Sequence, residues 1–278
     1  MTRTWRRLRD EARERLGDDQ EVRWIVEQAS GLTAAEQVAV LDGVADERQA
    51  ASFEAMVERR HAGEPLQYVL GQWGFRTLDL YVDPRVLIPR PETEVVAGIA
   101  IDAVPAGGRV VDLGTGSGAI ALSIAAERWP DVEVWATDAS PGALTVARAN
   151  TAALGRRGAV VRLVEGDWYD ALPEDLRGTF DVVVANPPYV PDDALVARQV
   201  RDHEPALALY GGADGLDHIR TIVGGAPDWL RGEGTLVVEI GDDQGAAAAD
   251  LARAAGFDHL EVRRDLTKRD RALVARRG

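Results

Sequence analysis

A chain of 278 residues, 46% hydrophobic and 28% charged, can bury a sizeable core as one large domain or two modest ones. Its lack of cysteine excludes disulfides, thiolate zinc sites and a cysteine nucleophile, and fits a reducing, cytoplasmic setting. A formal net charge of −14, with a pI near 4.8, repels polyanions at long range and disfavours direct binding of nucleic acid.

The first segment is Arg-rich (Arg3, Arg6, Arg7, Arg9) but is interleaved with Asp10, Glu11 and Glu14 and has no apolar stretch. It reads as a solvated helix face and not as a targeting peptide. Residues 1–72 read as helices, with apolar residues at helical spacing in Trp5-Leu8, Val22-Ile25-Val26, Val38-Leu41 and Phe53-Met56-Val57. Thr33 followed by Glu36 predicts a capping box, and Gly17, Gly31 and Gly63 fall where helices should stop. The helical region is expected to dock a substrate or to act only as a cap. Residues 73–92 form the expected linker, a hairpin drawn from the short alternating segments GFRTLDLYV and RVLIP.

From residue 93 to 278 strand-like and helix-like runs alternate. Strands are expected at 109–113, 132–137, 160–164, 181–185, 235–240, 259–262 and 272–275, with helices notably at 119–128, 141–154 and 243–255. The pattern predicts an α/β fold with a mostly parallel sheet, covered on both faces and binding ligands beyond the carboxyl ends of its strands. A second basic cluster, Arg263, Arg264, Lys268, Arg269 and Arg271, is again flanked by acids and reads as a solvated face. His61, His203, His218 and His259 show no metal-ligand spacing, so surface or structural roles and no metal are expected. No run approaches the roughly 18 apolar residues that span a bilayer.

Three segments carry chemistry. Val110-Val111-Asp112-Leu113-Gly114-Thr115-Gly116-Ser117-Gly118-Ala119 is a strand, a glycine loop and a helix start, followed by Asp138 at the end of the next strand. Glycines admit a ligand close to the backbone, and the acid can accept from both ribose hydroxyls. Alone, this pair also fits a dinucleotide oxidoreductase. Glu165-Gly166-Asp167-Trp168 places an acid and an aromatic at a strand end, suited to an adenine's amino group and ring face, although Trp168 could equally belong to the core. Val184-Ala185-Asn186-Pro187-Pro188-Tyr189-Val190 then fixes two backbone carbonyls by proline and adds a side-chain acceptor and a flat ring. Two acceptors and a stacking face suit an NH2 group on a planar carrier.

The glycine loop, Asp138 and Asn186-Pro187-Pro188-Tyr189 resemble class I methyltransferases acting on nitrogen conjugated to a π-system. With Glu64-Pro65-Leu66-Gln67-Tyr68-Val69-Leu70-Gly71, Leu87-Ile88-Pro89-Arg90-Pro91-Glu92-Thr93-Glu94 and His203-Glu204-Pro205, the chain resembles the release factor glutamine methyltransferases, the HemK/PrmC family, over nearly its whole length. The resemblance implies a Rossmann-like fold with a seven-stranded sheet. It implies S-adenosylmethionine on Gly114, Thr115, Gly116, Ser117, Gly118, Asp138, Asp167, Trp168 and Asn186. It further implies that Asn186, Pro187, Pro188 and Tyr189 hold the glutamine of a release factor's Gly-Gly-Gln motif. A ribosomal protein's glutamine and an adenine N6 amino group are the alternative acceptors. Arg90 and Glu92 either shape the substrate entrance or form a capping turn with Thr93 as N-cap.

Overall fold

The computed structural model describes residues 3–277 and divides into two compact units. The first runs to Gln72 and takes in residues 197–203. Its N-terminal part is built of α1 (Trp5–Leu16), α2 (Asp19–Ser30), α3 (Ala34–Val40), α4 (Glu47–His61) and α5 (Leu66–Leu70). Local chemistry sets the ends. Asp18 accepts from the amides of Gln20 and Glu21, the Thr33–Glu36 capping box is formed, and α1 and α2 stop at left-handed Gly17 and Gly31. Helices α1, α2 and α4 each bury one stripe, bringing Trp5, Leu8, Val22, Ile25, Phe53 and Val57 into a common core, whereas Val38 of α3, expected on such a stripe, is exposed. Trp5 meets Phe53 edge to face at 6.1 Å. Arg60 ties α4 to α2 through Glu21 at 2.7 Å.

The second unit begins at Trp73, inside the first strand of the hairpin β1 (Gln72–Phe75) and β2 (Leu78–Tyr81). The expected segment RVLIP is not a strand. Pro84 and Pro89 bracket it, and the Ile88 amide is bound by the Glu204 side chain at 3.1 Å instead of a ladder partner. The chain then passes through α6 (Thr93–Ala103), β3 (Gly108–Leu113), α7 (Ala119–Arg128), β4 (Val132–Asp138), α8 (Pro141–Ala153), β5 (Val161–Glu165) and β6 (Phe180–Ala185). A short α9 (Arg198–His203), assigned to the first unit, precedes α10 (Asp217–Trp229), β7 (Leu230–Glu239), α11 (Gly245–Ala254), β8 (His259–Arg264) and β9 (Asp270–Arg276).

The seven strands stand in the order β5-β4-β3-β6-β7-β9-β8, parallel except for β9, which runs against both β7 and β8. Their apolar runs are explained by cover on both faces. One face packs α10 and α11 through Ile219, Ile222 and Ala248, and the other packs α6 and α7 through Val96, Ile120 and Ile124. From β3 the chain builds outward through β4 and β5, then returns to build through β6 and β7 on the other side. The junction of β3 and β6 is thus the switch point, where the loops diverge and leave a crevice. Register sharpens this. Leu113 pairs with both Thr137 and Ala185, so Gly114, Asp138 and Asn186 leave the sheet side by side.

Candidate active site

A cleft of about 1120 Å³, counting its mouth, opens at that edge. It gathers Gly114, Thr115, Gly116, Ser117, Asp138, Asp167, Trp168, Asn186 and Pro188. Gly118, Pro187, Tyr189, Arg90 and Glu92 do not line it.

The glycine loop needs glycine at two places for distinct reasons. Gly114 has φ +72°, and a Cβ there would stand 2.9 Å from the Trp168 ring. Gly116 has φ +57° with open space above it, and its amide donates to Asp138 Oδ2 at 2.8 Å. Asp138 Oδ1 accepts from Ser140 at 2.8 Å. Each carboxylate oxygen thus keeps spare acceptor capacity while the loop is held against it. Burial raises the Asp138 carboxyl, and the two backbone donors oppose that push. Trp168 is half-buried with φ +43°, its ring 5.4 Å from that of His218. His218, read from sequence as surface or structural, lines the cleft beside it.

Asp112, which sequence reading passed over, also lines the cleft at the end of β3. It is 1% exposed, and its Oδ2 accepts from the Thr115 hydroxyl at 2.6 Å and the Ala121 amide at 3.1 Å. Its Oδ1 is buried with no hydrogen-bond partner. The signal was an acid inside the apolar run Val110-Val111-Asp112-Leu113. Burial pushes this carboxyl up to about 7, against the pull of its two donors. A carboxyl raised by folding contributes stability that is whole below its unfolded pKa and lost as pH climbs through the folded one. Melting temperature should therefore fall between about pH 4 and pH 8, and Asp112→Asn should flatten that slope. An unchanged slope in the variant, followed by calorimetry, refutes the assignment.

Asn186 follows the fully buried β6, and its Nδ2 donates to Thr93 Oγ1 at 3.2 Å. Thr93 is not the N-cap of α6. Glu92 holds that place without a side-chain cap, and the Thr93 hydroxyl serves Asn186 instead. Beyond the two buried prolines the chain is pinned at Tyr189 and Val190. Gln244 donates to the Tyr189 carbonyl at 3.0 Å, Val190 donates to Leu209 at 2.9 Å, and Gly211 donates to Val190 at 2.8 Å.

The Tyr189 hydroxyl donates to Glu239 Oε1 at 3.2 Å. Burial and the Glu239 charge raise this phenol well above its ordinary value. Arg271 was expected on a solvated face but is only 7% exposed, reaching the Tyr189 hydroxyl at 3.5 Å and pairing with Asp265 at 3.3 Å. Tyr189, Asp265 and the Ile240 carbonyl engage it, contacts that charge counting along the sequence does not register. Arg90 is likewise engaged, donating to the buried Glu204 at 2.6 Å.

These groups fit S-adenosylmethionine. Gly116 leaves room for close backbone approach, Asp138 has capacity for ribose hydroxyls, Trp168 offers a ring face, and the unpartnered Asp112 oxygen suits a cation. Among the described residues no cluster suited to a metal occurs and no helix is long and apolar enough to cross a membrane.

The chain matches the Methyltransferase small domain over residues 99–211 and the PrmC N-terminal domain over residues 6–71. The release factor glutamine methyltransferase of Xylella fastidiosa (strain 9a5c) is 48% identical over 229 residues, 81% of each chain. That of Burkholderia pseudomallei (strain K96243) is 44% identical over 93% of this chain and 92% of its own. A methyltransferase structure from Pyrococcus furiosus aligns over 81% of this chain and 98% of its own, with a TM-score of 0.55 at 20% identity. That likeness gives the fold, a class I methyltransferase sheet with an added helical unit. At 48% and 44% identity over most of both chains, this protein belongs to the release factor glutamine methyltransferase family.

Proposed function

We propose that the chain transfers a methyl group from S-adenosylmethionine to the side-chain amide nitrogen of the glutamine in a release factor's Gly-Gly-Gln motif. The observation that carries this reading is Asn186, tethered through its NH2 to Thr93 at the edge of a cleft that also holds the glycine loop. Its Oδ1 is thereby left as the acceptor for a substrate N–H, with the rigid carbonyl of Pro187 as the second acceptor and the Tyr189 ring as the stacking face.

When bound, S-adenosylmethionine supplies a methyl group already activated for displacement. The chain's task is then chiefly alignment, a contribution that reaches about 7–11 kcal/mol at best. An amide nitrogen is a poor nucleophile because its lone pair is delocalised into the carbonyl. Acceptors at Asn186 and Pro187 enrich that nitrogen and aim it, and no strong base is needed because the N–H becomes acidic only as the new C–N bond forms. The net charge of −14 favours a protein acceptor over a nucleic acid.

Methyl transfer from labelled cofactor to purified release factors, with peptide mapping, tests the reading. Label is expected on the Gly-Gly-Gln glutamine and absent when that residue is replaced by glutamate. Label on a ribosomal protein alone, or on the glutamate, overturns it. The helical unit is the proposed dock for the protein substrate. Removing residues 1–72 should leave cofactor binding near normal and abolish methylation of an intact release factor, whereas retained methylation makes the unit only a cap.

A further inference from the structure

A buried amide stands on α8 where an apolar side chain would serve packing. The inward stripe of that helix is Ala143, Leu144, Val146, Ala147 and Asn150, and Asn150 is 4% exposed. Such a group is costly to bury unless its hydrogen bonds are made. Here they are made, and all to main chain. Oδ1 accepts from the Tyr81 amide at 2.8 Å, while Nδ2 donates to the Tyr81 carbonyl at 3.0 Å and to the Ser117 carbonyl at 2.8 Å. One N–H and two carbonyls as partners admit a single orientation of the amide.

The two residues it joins belong to different parts of the site. Ser117 sits in the glycine loop and lines the cleft, whereas Tyr81 ends β2 of the linker hairpin. Beyond Tyr81 the chain turns at Asp83, which accepts from the Tyr81 hydroxyl at 2.6 Å and from Arg85 Nε at 2.9 Å. It then supplies Arg85, Val86, Leu87 and Pro89 to the cleft lining. Asn150 itself does not line the cleft. Other ties fasten the glycine loop to the sheet edge, where Asp138 holds the Gly116 amide at 2.8 Å and Asp112 the Thr115 hydroxyl at 2.6 Å. The Ser117 tie fastens it to the hairpin.

We propose that Asn150 is a positioning residue for cofactor binding: its three-bond clamp sets the glycine loop against the linker hairpin and couples the order of one to the other. A loop already ordered before its ligand arrives loses less freedom on binding. Coupling of this kind is reciprocal, so a ligand on the loop should also steady Tyr81.

Hydrogen exchange and calorimetry on the full chain test the clamp. Neither needs an acceptor protein, so their outcome is separate from that of the acceptor reading above. Saturating S-adenosylmethionine should slow exchange of the Tyr81 amide by about 5-fold or more, although Tyr81 does not line the cleft. The Arg76 amide, bound to Glu94 at 2.9 Å in the turn of the same hairpin, should be unaffected. Asn150→Asp keeps the size of the side chain and the acceptor for Tyr81 but loses both donors. It should weaken cofactor affinity by about 10-fold and speed exchange of the Gly116 and Gly118 amides in the cofactor-free chain. Asn150→Ala, which removes all three bonds, should do both more strongly. Ile124→Ala, a cavity in the core beneath α7, should lower the melting temperature yet leave cofactor affinity unchanged. Normal cofactor affinity in the Asn150 variants, or an equal loss in Ile124→Ala, overturns the clamp. So does a Tyr81 amide that exchanges at one rate with and without cofactor, a comparison that requires no variant to fold.

Discussion

Asn186→Ala is expected to reduce kcat by about 10²-fold or more while leaving cofactor affinity nearly unchanged. As the new bond forms, the amide nitrogen gains positive character and its N–H groups become stronger donors. An acceptor fixed beforehand therefore gains more in the transition state than in the bound substrate. Asn186 is so fixed, tied to Thr93 behind it and followed by two buried prolines whose far side is pinned by Gln244 and Leu209. Steady-state kinetics against a release factor, paired with calorimetry of the cofactor, separates the two effects. A variant that loses cofactor affinity as steeply as kcat would show Asn186 to be chiefly a cofactor ligand.

Asp138→Ala should have the other large effect, on binding. Two ribose hydroxyls would lose a charged acceptor, each such bond contributing about 1.5–3 kcal/mol, so cofactor affinity should fall by about 10²-fold or more. The structure adds a second loss, because the same carboxylate holds the Gly116 and Ser140 amides at 2.8 Å each. Asp138→Asn should be milder, keeping one acceptor oxygen while its NH2 opposes a backbone N–H. Unchanged affinity by calorimetry in the Ala variant, with circular dichroism confirming the fold, sinks the assignment.

The strands of the sheet and the helices α7, α8 and α11 were legible because their apolar runs and intervening loops repeat a simple pattern. The glycine loop, Asp138 and Asn186 were legible because each ends a strand, and a parallel sheet brings strand ends to one edge. Helix α10 was not singled out, since Gly224, Gly225 and Pro227 lie inside it. Packing overrides that propensity. A Cβ on Gly225 would stand 2.7 Å from the Tyr169 ring, so glycine admits the ring that helps bury the helix. Arg85–Pro89 has the alternation of a strand but spends its backbone donor on Glu204, a residue 116 positions away from Ile88. Glu239 escaped notice, and Arg271 was read as part of a solvated face, for the same reason. Their partner Tyr189 lies 50 and 82 positions away, and one sequence read alone carries no sign of such pairings.

The ties at Val190 have a consequence for how relatives of this protein can diverge. Asp192 donates to Gly212 at 3.0 Å, beside the two bonds that join Val190 to Leu209 and Gly211, so residues 193–208 leave and return through a closed stem. Lengthening a loop on such a stem is entropically cheap, about 0.6 kcal/mol for each doubling. The stem absorbs the change before it reaches Asn186. The room for change lies between residues 193 and 203, because beyond them Glu204 holds Ile88 and Arg90, and Pro205, Leu207 and Ala208 line the cleft itself.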